Sequence, residues 1–388
     1  MKPPFFSIFI PAKGRPEYLG EAIESALLQD FEDMELVISN NGADSALKAV
    51  ALRYLGDGRV RYVEQPEVLD MPAHWEKVTR ELLGEYILVL TDRSLMRDGT
   101  LHYLYEQIIQ MKKFPDVISW PWDVYYDHLK VLLRYPAKKR NFQIINSDST
   151  LNEIARGSSH YPYCLPRGLN SCVRNEFIAT IRSKHGQVFR PLNPDFTFGF
   201  LCLQNTEYFI YVDSPMFVSQ GLKVSNGGNS FSGDASPYFN SLKLENTFKL
   251  VPVKLSLVQN GIHEDFLAMA SLCSHYDLSK WDRSNYYMEC FAEIDAKREA
   301  GLLQSNIVDE MEQHLINALM NEPLELWKLV KRTRTLTKKL RIRIAGVVRK
   351  LLGTKLESVM RFILLNIKGG VVVATALEAA GFDESKIK

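Results

Sequence analysis

Three clusters of polar residues follow directly on short apolar runs. Pro11–Arg15 brings Lys13 and Arg15, Asn40–Asp44 brings Asn40, Asn41 and Asp44, and Thr91–Ser94 brings Asp92 and Arg93. Amides can meet a base edge, guanidinium and ammonium groups hold phosphates, and a carboxylate holds a sugar hydroxyl or a metal. The mixture suits a nucleotide. The commonest nucleotide fingerprints are absent: the first turn carries only Gly14 where GxGxxG would stand, and no GxxxxGK[ST] occurs. Neither HExxH nor GxSxG is present. Histidines 74, 160, 185 and 263 are isolated and read as structural or surface groups.

The elements that must position these clusters alternate in type. Phe5–Ile10 is nearly continuous apolar, as a strand covered on both faces would be. Pro16 then suits a first helical turn, and Glu17–Gln29 reads as a helix with Leu19, Ala22, Ile23, Ala26 and Leu27 inward. Glu35–Ser39, Val60–Val63, Tyr86–Leu90 and Asp116–Trp120 read as further strands, and Asp44–Tyr54, Pro72–Leu83 and Gly99–Lys112 as helices. Such alternation predicts an α/β fold with a mainly parallel sheet flanked by helices, whose ligands bind at the strands' carboxyl ends. Gly221–Pro237 is the most loop-like stretch and reads as a lid or acceptor loop. From Leu242 to Asn321 the pattern is helical, so a helical C-terminal region follows the sheet.

FSIFIPAKGRPEYLGEAIESALLQDFEDMELVISNNGADS resembles the opening of a family 2 glycosyltransferase, and GEYILVLTDRSLMRDGTL resembles that family's second, acidic block. The two agree in order and spacing over residues 5–101. The resemblance implies a GT-A fold, a nucleotide-sugar donor and inverting transfer to an acceptor. By position, Pro11, Ala12, Lys13 and Arg15 would line the nucleotide, and Asn40 stands where the family has an Asp facing the base. Asn40 and Asn41 could equally form a turn with Gly42. The family's DxD cluster, which holds a divalent cation, is here Thr91-Asp92-Arg93-Ser94. A single carboxylate makes a weak site for a hard cation, whereas a guanidinium binds phosphate bidentately. The expectation is transfer independent of metal or weakly dependent on it, with Arg93 on the leaving diphosphate and Asp92 on a donor hydroxyl. An inverting enzyme needs a base, for which the candidate is Asp195 in RPLNPDF. A helix cap is the other reading of Asp195, and Asp213 and Asp234 are rivals for the base. Trp120, Trp122, Tyr125, Tyr126, Tyr161 and Tyr163 could stack on an acceptor sugar or belong to the core.

The 388 residues are 46% hydrophobic and 24% charged, close to an ordinary globular protein, which excludes disorder and fibre. Formal net charge is +1, yet Lys328–Arg361 holds twelve Lys or Arg against one acid, Glu357. Leu336, Leu340, Ile344, Val347 and Leu351 form a stripe at helical spacing, with Lys331, Arg334, Lys338, Arg341 and Arg349 roughly opposite. That pattern predicts a helix lying on an anionic membrane surface, packing on the protein's own core being the bland alternative. Few aromatics accompany these cations, and no nucleic acid is expected as partner. The apolar run near the N-terminus is too short for a signal peptide, five scattered cysteines read as reduced thiols, and a cytoplasmic, peripheral location is expected. The sequence thus divides into a GT-A domain over 1–240, a helical region over 241–325 and a basic amphipathic tail over 326–388. A UDP-sugar is the expected donor, a lipid-linked or polysaccharide intermediate the acceptor, and surface polysaccharide synthesis the setting. A catalytically inactive, membrane-docked assembly factor and a sugar nucleotidyltransferase remain the alternatives.

Overall fold

The computed structural model describes residues 2–136, 142–157, 164–221, 224–273, 277–336, 368 and 370–383. They fall into two compact units: one gathers residues of 1–151, 163–221 and 369–388, the other residues of 152–162 and 222–368.

In the first unit the chain runs β1 (Phe6–Ala12), α1 (Pro16–Leu27), β2 (Met34–Asn41), α2 (Ser45–Ala51), β3 (Val60–Gln65), α3 (Met71–Thr79), β4 (Tyr86–Val89), β5 (Ser94–Met96) and α4 (Thr100–Ile109). It continues through β6 (Val117–Ser119), β7 (Trp122–Tyr126), β8 (Val131–Leu133), β9 (Phe142–Asn146), α5 (Ser147–Ala155, whose residues from 152 on count with the second unit), β10 (Ser171–Arg174), α6 (Asn175–His185), α7 (Pro194–Asn205), β11 (Tyr208–Val212) and β12 (Phe217–Ser219). Eight strands form a mixed sheet in the order β3-β2-β1-β4-β10-β6-β11-β9. The first four run parallel, with Ala12 opposite Asn40 and Phe9 opposite Val89; β10 then enters antiparallel. Every residue of β1 is buried, as its unbroken apolar sequence requires of a strand covered on both faces. The predicted α/β fold with a mainly parallel sheet flanked by helices is therefore present; beyond the four strands that carry the polar clusters, β6 and β11 also pair parallel.

Helix α1 begins at Pro16 and buries Leu19, Ala22, Ile23 and Ala26 as expected. Ser25 is buried in addition, and Leu27 only partly. The reason is tertiary: Ser25 Oγ accepts the Met96 N–H at 3.0 Å while donating to the Ala22 carbonyl. Gly84 is needed because a Cβ there would stand 2.4 Å from the Ser7 nitrogen.

A five-stranded second sheet has the order β13-β8-β7-β12-β5. Its outer strand, β13 (Val371–Val372), comes from the far end of the described chain and pairs with β8.

The second unit is helical: α8 (Asn226–Ser232), α9 (Ser236–Ser241), α10 (Val258–Ala270), α11 (Arg283–Ala300), α12 (Ser305–Met320) and α13 over 324–336. The stretch Gly221–Pro237, expected as a loop, contains α8 instead. Ser225 Oγ caps its N-terminus by accepting the Gly228 N–H. At its other end the buried Lys297 ammonium donates to the carbonyls of Ser230, Phe231 and Gly233. Lys297 also pairs with Glu293 at 3.0 Å, both side chains fully buried, and Glu293 accepts the N–H groups of Val258 and Gln259 that open α10. One ion pair therefore closes two helix ends, which local composition could not reveal. Lys297→Met should lower the stability of this unit by about 3–5 kcal/mol, because Glu293 is left buried and unpaired. Denaturant titrations should find that adding Glu293→Gln recovers part of the loss.

Among the described residues no helix is long and apolar enough to cross a membrane. The basic stretch is described only as far as Leu336, which is exposed. Arg334, assigned to its cationic face, instead lies over the Phe291 ring at 3.8 Å and pairs with Glu312. Leu340, Ile344, Val347, Leu351 and the cations from Lys338 to Arg361 lie outside the described residues.

Candidate active site

Because β1, β2 and β4 are parallel neighbours, their carboxyl ends meet at one edge of the sheet. Gly14, at φ +68°, turns the chain from β1 into α1, a conformation that favours glycine. Gly42, at φ +96°, turns it after β2, and a Cβ there would stand 2.6 Å from the Val68 side chain.

Asp92 lies at the centre of this edge and is fully buried. Arg15 pairs with it: Nε donates to Oδ2 at 3.0 Å, and Nη2 lies 2.9 Å from Oδ1, which has no hydrogen-bond partner among the described residues. The Lys13 N–H reaches Oδ2 at 3.4 Å. Burial pushes the Asp92 carboxyl above its ordinary value, and Arg15 opposes that push. Both oxygens thus lie beside the neighbouring cation, and among the described residues only Oδ2 accepts hydrogen bonds. Asp92 is placed to hold Arg15 rather than a donor hydroxyl.

Arg93 is bound by other partners. Its Nη1 donates to Ser219 Oγ at 2.9 Å and to the Gln220 carbonyl at 2.8 Å. Burial, then the charge of Arg15, pushes the guanidinium down to about 10, with Arg167 adding to the effect. A group so placed remains protonated at neutral pH and gains from an incoming anion.

The remaining sequence-derived positions divide. Pro11 and Ala12 are buried at the end of β1 and can offer a ligand little beyond backbone. Lys13 is exposed at the mouth of the edge. Asn40 is fully buried, and its amide donates to the Asp44 carbonyl at 2.7 Å and to the Tyr62 hydroxyl at 2.9 Å. Its Oδ1 accepts the Asp44 N–H at 3.1 Å. The amide is committed to the Asp44 carbonyl in the turn and to Tyr62 on β3, which fits the structural reading of this residue rather than the base-reading one.

Asp195 occupies the first turn of α7, whose N-cap is Asn193. Its side chain is 14% exposed and lies 3.7 Å from Arg167 Nη1. Burial raises its pKa, opposed by Arg167, by the N–H groups of Asp195 and Phe196, and by Arg93. The carboxylate therefore shares one electrostatic neighbourhood with Arg93, although about a hundred residues separate them in sequence. Asp234 is spent on a turn, accepting the Ser236 N–H at 2.8 Å.

Sequence reasoning missed Arg167. Its guanidinium packs over Trp122 at 4.6 Å and Phe196 at 4.9 Å, so an aromatic pair holds it beside Asp195. Nothing in Pro166-Arg167-Gly168 marks the position, because these partners come from two distant segments, β7 and α7. Trp122 is thus occupied by Arg167, whereas Trp120 and Tyr125 are buried in the core. Tyr126 is half-buried, and Tyr161 and Tyr163 lie outside the described residues.

Beneath the edge, His74 is 2% exposed and its Nε2 lies 2.7 Å from Ser39 Oγ. Burial, then the charges of Lys13 and Lys77, pushes it down to about 4. An unfolded histidine titrates at about 6.5. As pH falls below that value the unfolded chain takes up a proton that the native state refuses until about 4. Stability should therefore drop by about 3 kcal/mol between pH 7 and pH 4 through this group alone. Denaturant titrations at pH 7 and 4.5 should show a smaller drop in His74→Gln than in the parent protein.

The resemblance implies a divalent cation, and the residues present do not fit one. Both oxygens of Asp92 face Arg15, and the next residue is itself a cation. Among the described residues no group of three or more His, Cys, Asp or Glu could hold a metal ion.

A parallel α/β edge with cations and a buried carboxylate at its carboxyl ends stands where open α/β sheets bind their ligands. Residues 7–154 match the family model of glycosyl transferase family 2. An uncharacterised glycosyltransferase of Rickettsia typhi is 37% identical over 51 residues, 13% of this chain and 16% of that protein. One from Rickettsia prowazekii matches to the same extent. The match thus spans about a sixth of these curated relatives' own length. Among solved structures, residues 1–349 of S. aureus TarS in complex with UDP-GlcNAc are similar at 13% identity, over 86% of this chain and 92% of that one, with TM-score 0.48. The Pyrobaculum calidifontis mannosyltransferase PcManGT, in complex with GDP-Man and Mn2+, is similar at 12% identity over 91% and 88%, with TM-score 0.42.

Proposed function

We propose that the chain is a glycosyltransferase that moves a sugar from a nucleotide-sugar donor to a glycan or lipid-linked acceptor, inverting the anomeric centre without requiring a metal. The observation that carries this reading is the Arg15–Asp92 ion pair with Arg93 next to it in sequence, at the carboxyl edge of the region that matches glycosyl transferase family 2. Arg93 takes the position of the family's acidic cluster and meets the diphosphate. In the reaction Asp195 accepts the proton of the acceptor hydroxyl, and the oxygen forms a bond to the anomeric carbon. The bond from that carbon to the diphosphate oxygen breaks, and its electron pair leaves on the nucleoside diphosphate facing Arg93. Arg15, held by Asp92, supplies a second fixed cation.

A UDP-sugar remains the donor we infer, and the cations of Lys328–Arg361 are read as attachment to the cytoplasmic face of an anionic membrane. Surface polysaccharide synthesis is the setting that unites these features. The closed Arg15–Asp92 pair also favours a second reading, an inactive member of the fold that serves as a docked assembly factor.

Calorimetric titration with UDP, GDP, CDP and dTDP, each with Mn2+ and again with chelator, tests the proposal. One nucleotide should bind with an affinity that chelator leaves unchanged. Binding that needs Mn2+ overturns the role given to Arg93. Failure of all four nucleotides to bind leaves the assembly-factor reading standing.

A further inference from the structure

Residues 371–382 form a small, self-capped element on the first unit. Val371–Val372 is β13, and Ala376–Ala380 is a helix, α14. Thr375 Oγ1 accepts the Glu378 N–H, and Glu378 reaches back to the Ala374 N–H. Gly381, at φ +98°, ends the helix, with Phe382 N–H donating to the Leu377 carbonyl and Gly381 N–H to that of Glu378. These are a capping interaction and a Schellman stop written within twelve residues.

The element lands on the strands that carry Arg93. Helix α14 packs against α1, β5 and β12. Strand β5 starts at the residue after Arg93, and β12 ends at Ser219, which with Gln220 receives the Arg93 guanidinium. Side chains alternate across this pair. Met96 and Phe217 face the main core, whereas Leu95 and Val218 face the other way, into a separate cluster with Tyr125 and Leu132. The rest of that cluster is Val373, Ala376, Leu377, Ala379, Ala380 and Phe382. The Asp98 N–H donates to the Ala380 carbonyl at 3.0 Å, and the Tyr125 hydroxyl donates to the Val373 and Ala374 carbonyls. Without this element one whole face of the β5–β12 pair would meet water.

We propose that residues 371–382 are a positioning segment of the donor site, clamping β5 to β12 so that Ser219 and Gln220 fix the Arg93 guanidinium for a diphosphate. This rests on the donor-site reading above. The test is a double-mutant cycle in the full chain, read by calorimetric nucleotide binding. Leu377→Asp should weaken binding at least tenfold when Arg93 is present and less than twofold when Arg93 is already alanine, and Leu377→Met should restore it. Equal losses in both backgrounds, or unchanged affinity while hydrogen exchange shows 371–382 released, would overturn the proposal. If Leu377→Asp fails to fold, Tyr125→Phe, which removes the bonds to Val373 and Ala374, runs through the same cycle with the same criteria at a smaller effect. Normal nucleotide binding by Arg93→Ala alone would instead overturn the donor-site reading, and this inference with it.

Discussion

Arg93→Ala should lower glycosyl transfer by about 100–1000-fold, the range for removing one preorganised group that stabilises developing charge in a water-poor site. The Arg93 guanidinium is the reason to expect so much. One of its nitrogens is tied to Ser219 and Gln220, so the group is held in place before any ligand arrives. Arg15 and Arg167 also raise its energy in the empty site, and an incoming diphosphate relieves that repulsion. Stability should change by only about 1 kcal/mol, because the loss of hydrogen bonds to Gln220 is offset by the same relief. Arg93→Lys keeps the charge but not the fork, and should fall between the two. Wild-type transfer by Arg93→Ala would end the assignment.

Asp195→Asn should cost transfer about 100–10,000-fold, the range for a general base, and leave nucleotide affinity within about twofold. The amide keeps the shape of the side chain and its place in the first turn of α7, but it cannot take a proton. A carboxyl raised by burial must still be ionised to work as a base. Transfer should therefore be present at high pH and lost as pH falls, with an acid limb lying above that of an ordinary aspartate. A pH–rate profile of the parent protein locates the limb, and equal loss of nucleotide affinity and rate in Asp195→Asn would assign the residue to the helix terminus instead. The two substitutions separate the leaving-group side of the reaction from the acceptor side. Arg93→Ala should affect binding and turnover together, whereas Asp195→Asn should affect turnover alone.

What the sequence by itself determined is local. The unbroken apolar run of β1, the Pro16 start of α1 and the polar residues closing β1, β2 and β4 are properties of short windows, and they placed Lys13, Arg15, Asp92 and Arg93 at one edge. Parallel neighbours must bring equivalent ends together, so a pattern of strands was enough to collect these residues. What each side chain does there was decided by tertiary structure. Asp92 meets a guanidinium from a loop 77 positions earlier, and Arg93 meets acceptors 126 and 127 positions later. Asn40 turns inward to Tyr62, and a helix forms in a Gly- and Ser-rich stretch because Lys297 closes its end. Arg167 was invisible because its aromatic supports come from distant segments, and residues 371–382 looked like the end of a basic tail until their caps and apolar face met β5 and β12. Periodicity and capping act over a few residues and can be read in a line. Ion pairs and buried hydrogen bonds depend on which segments the fold brings within about 3 Å, and that selection is made only when the core closes.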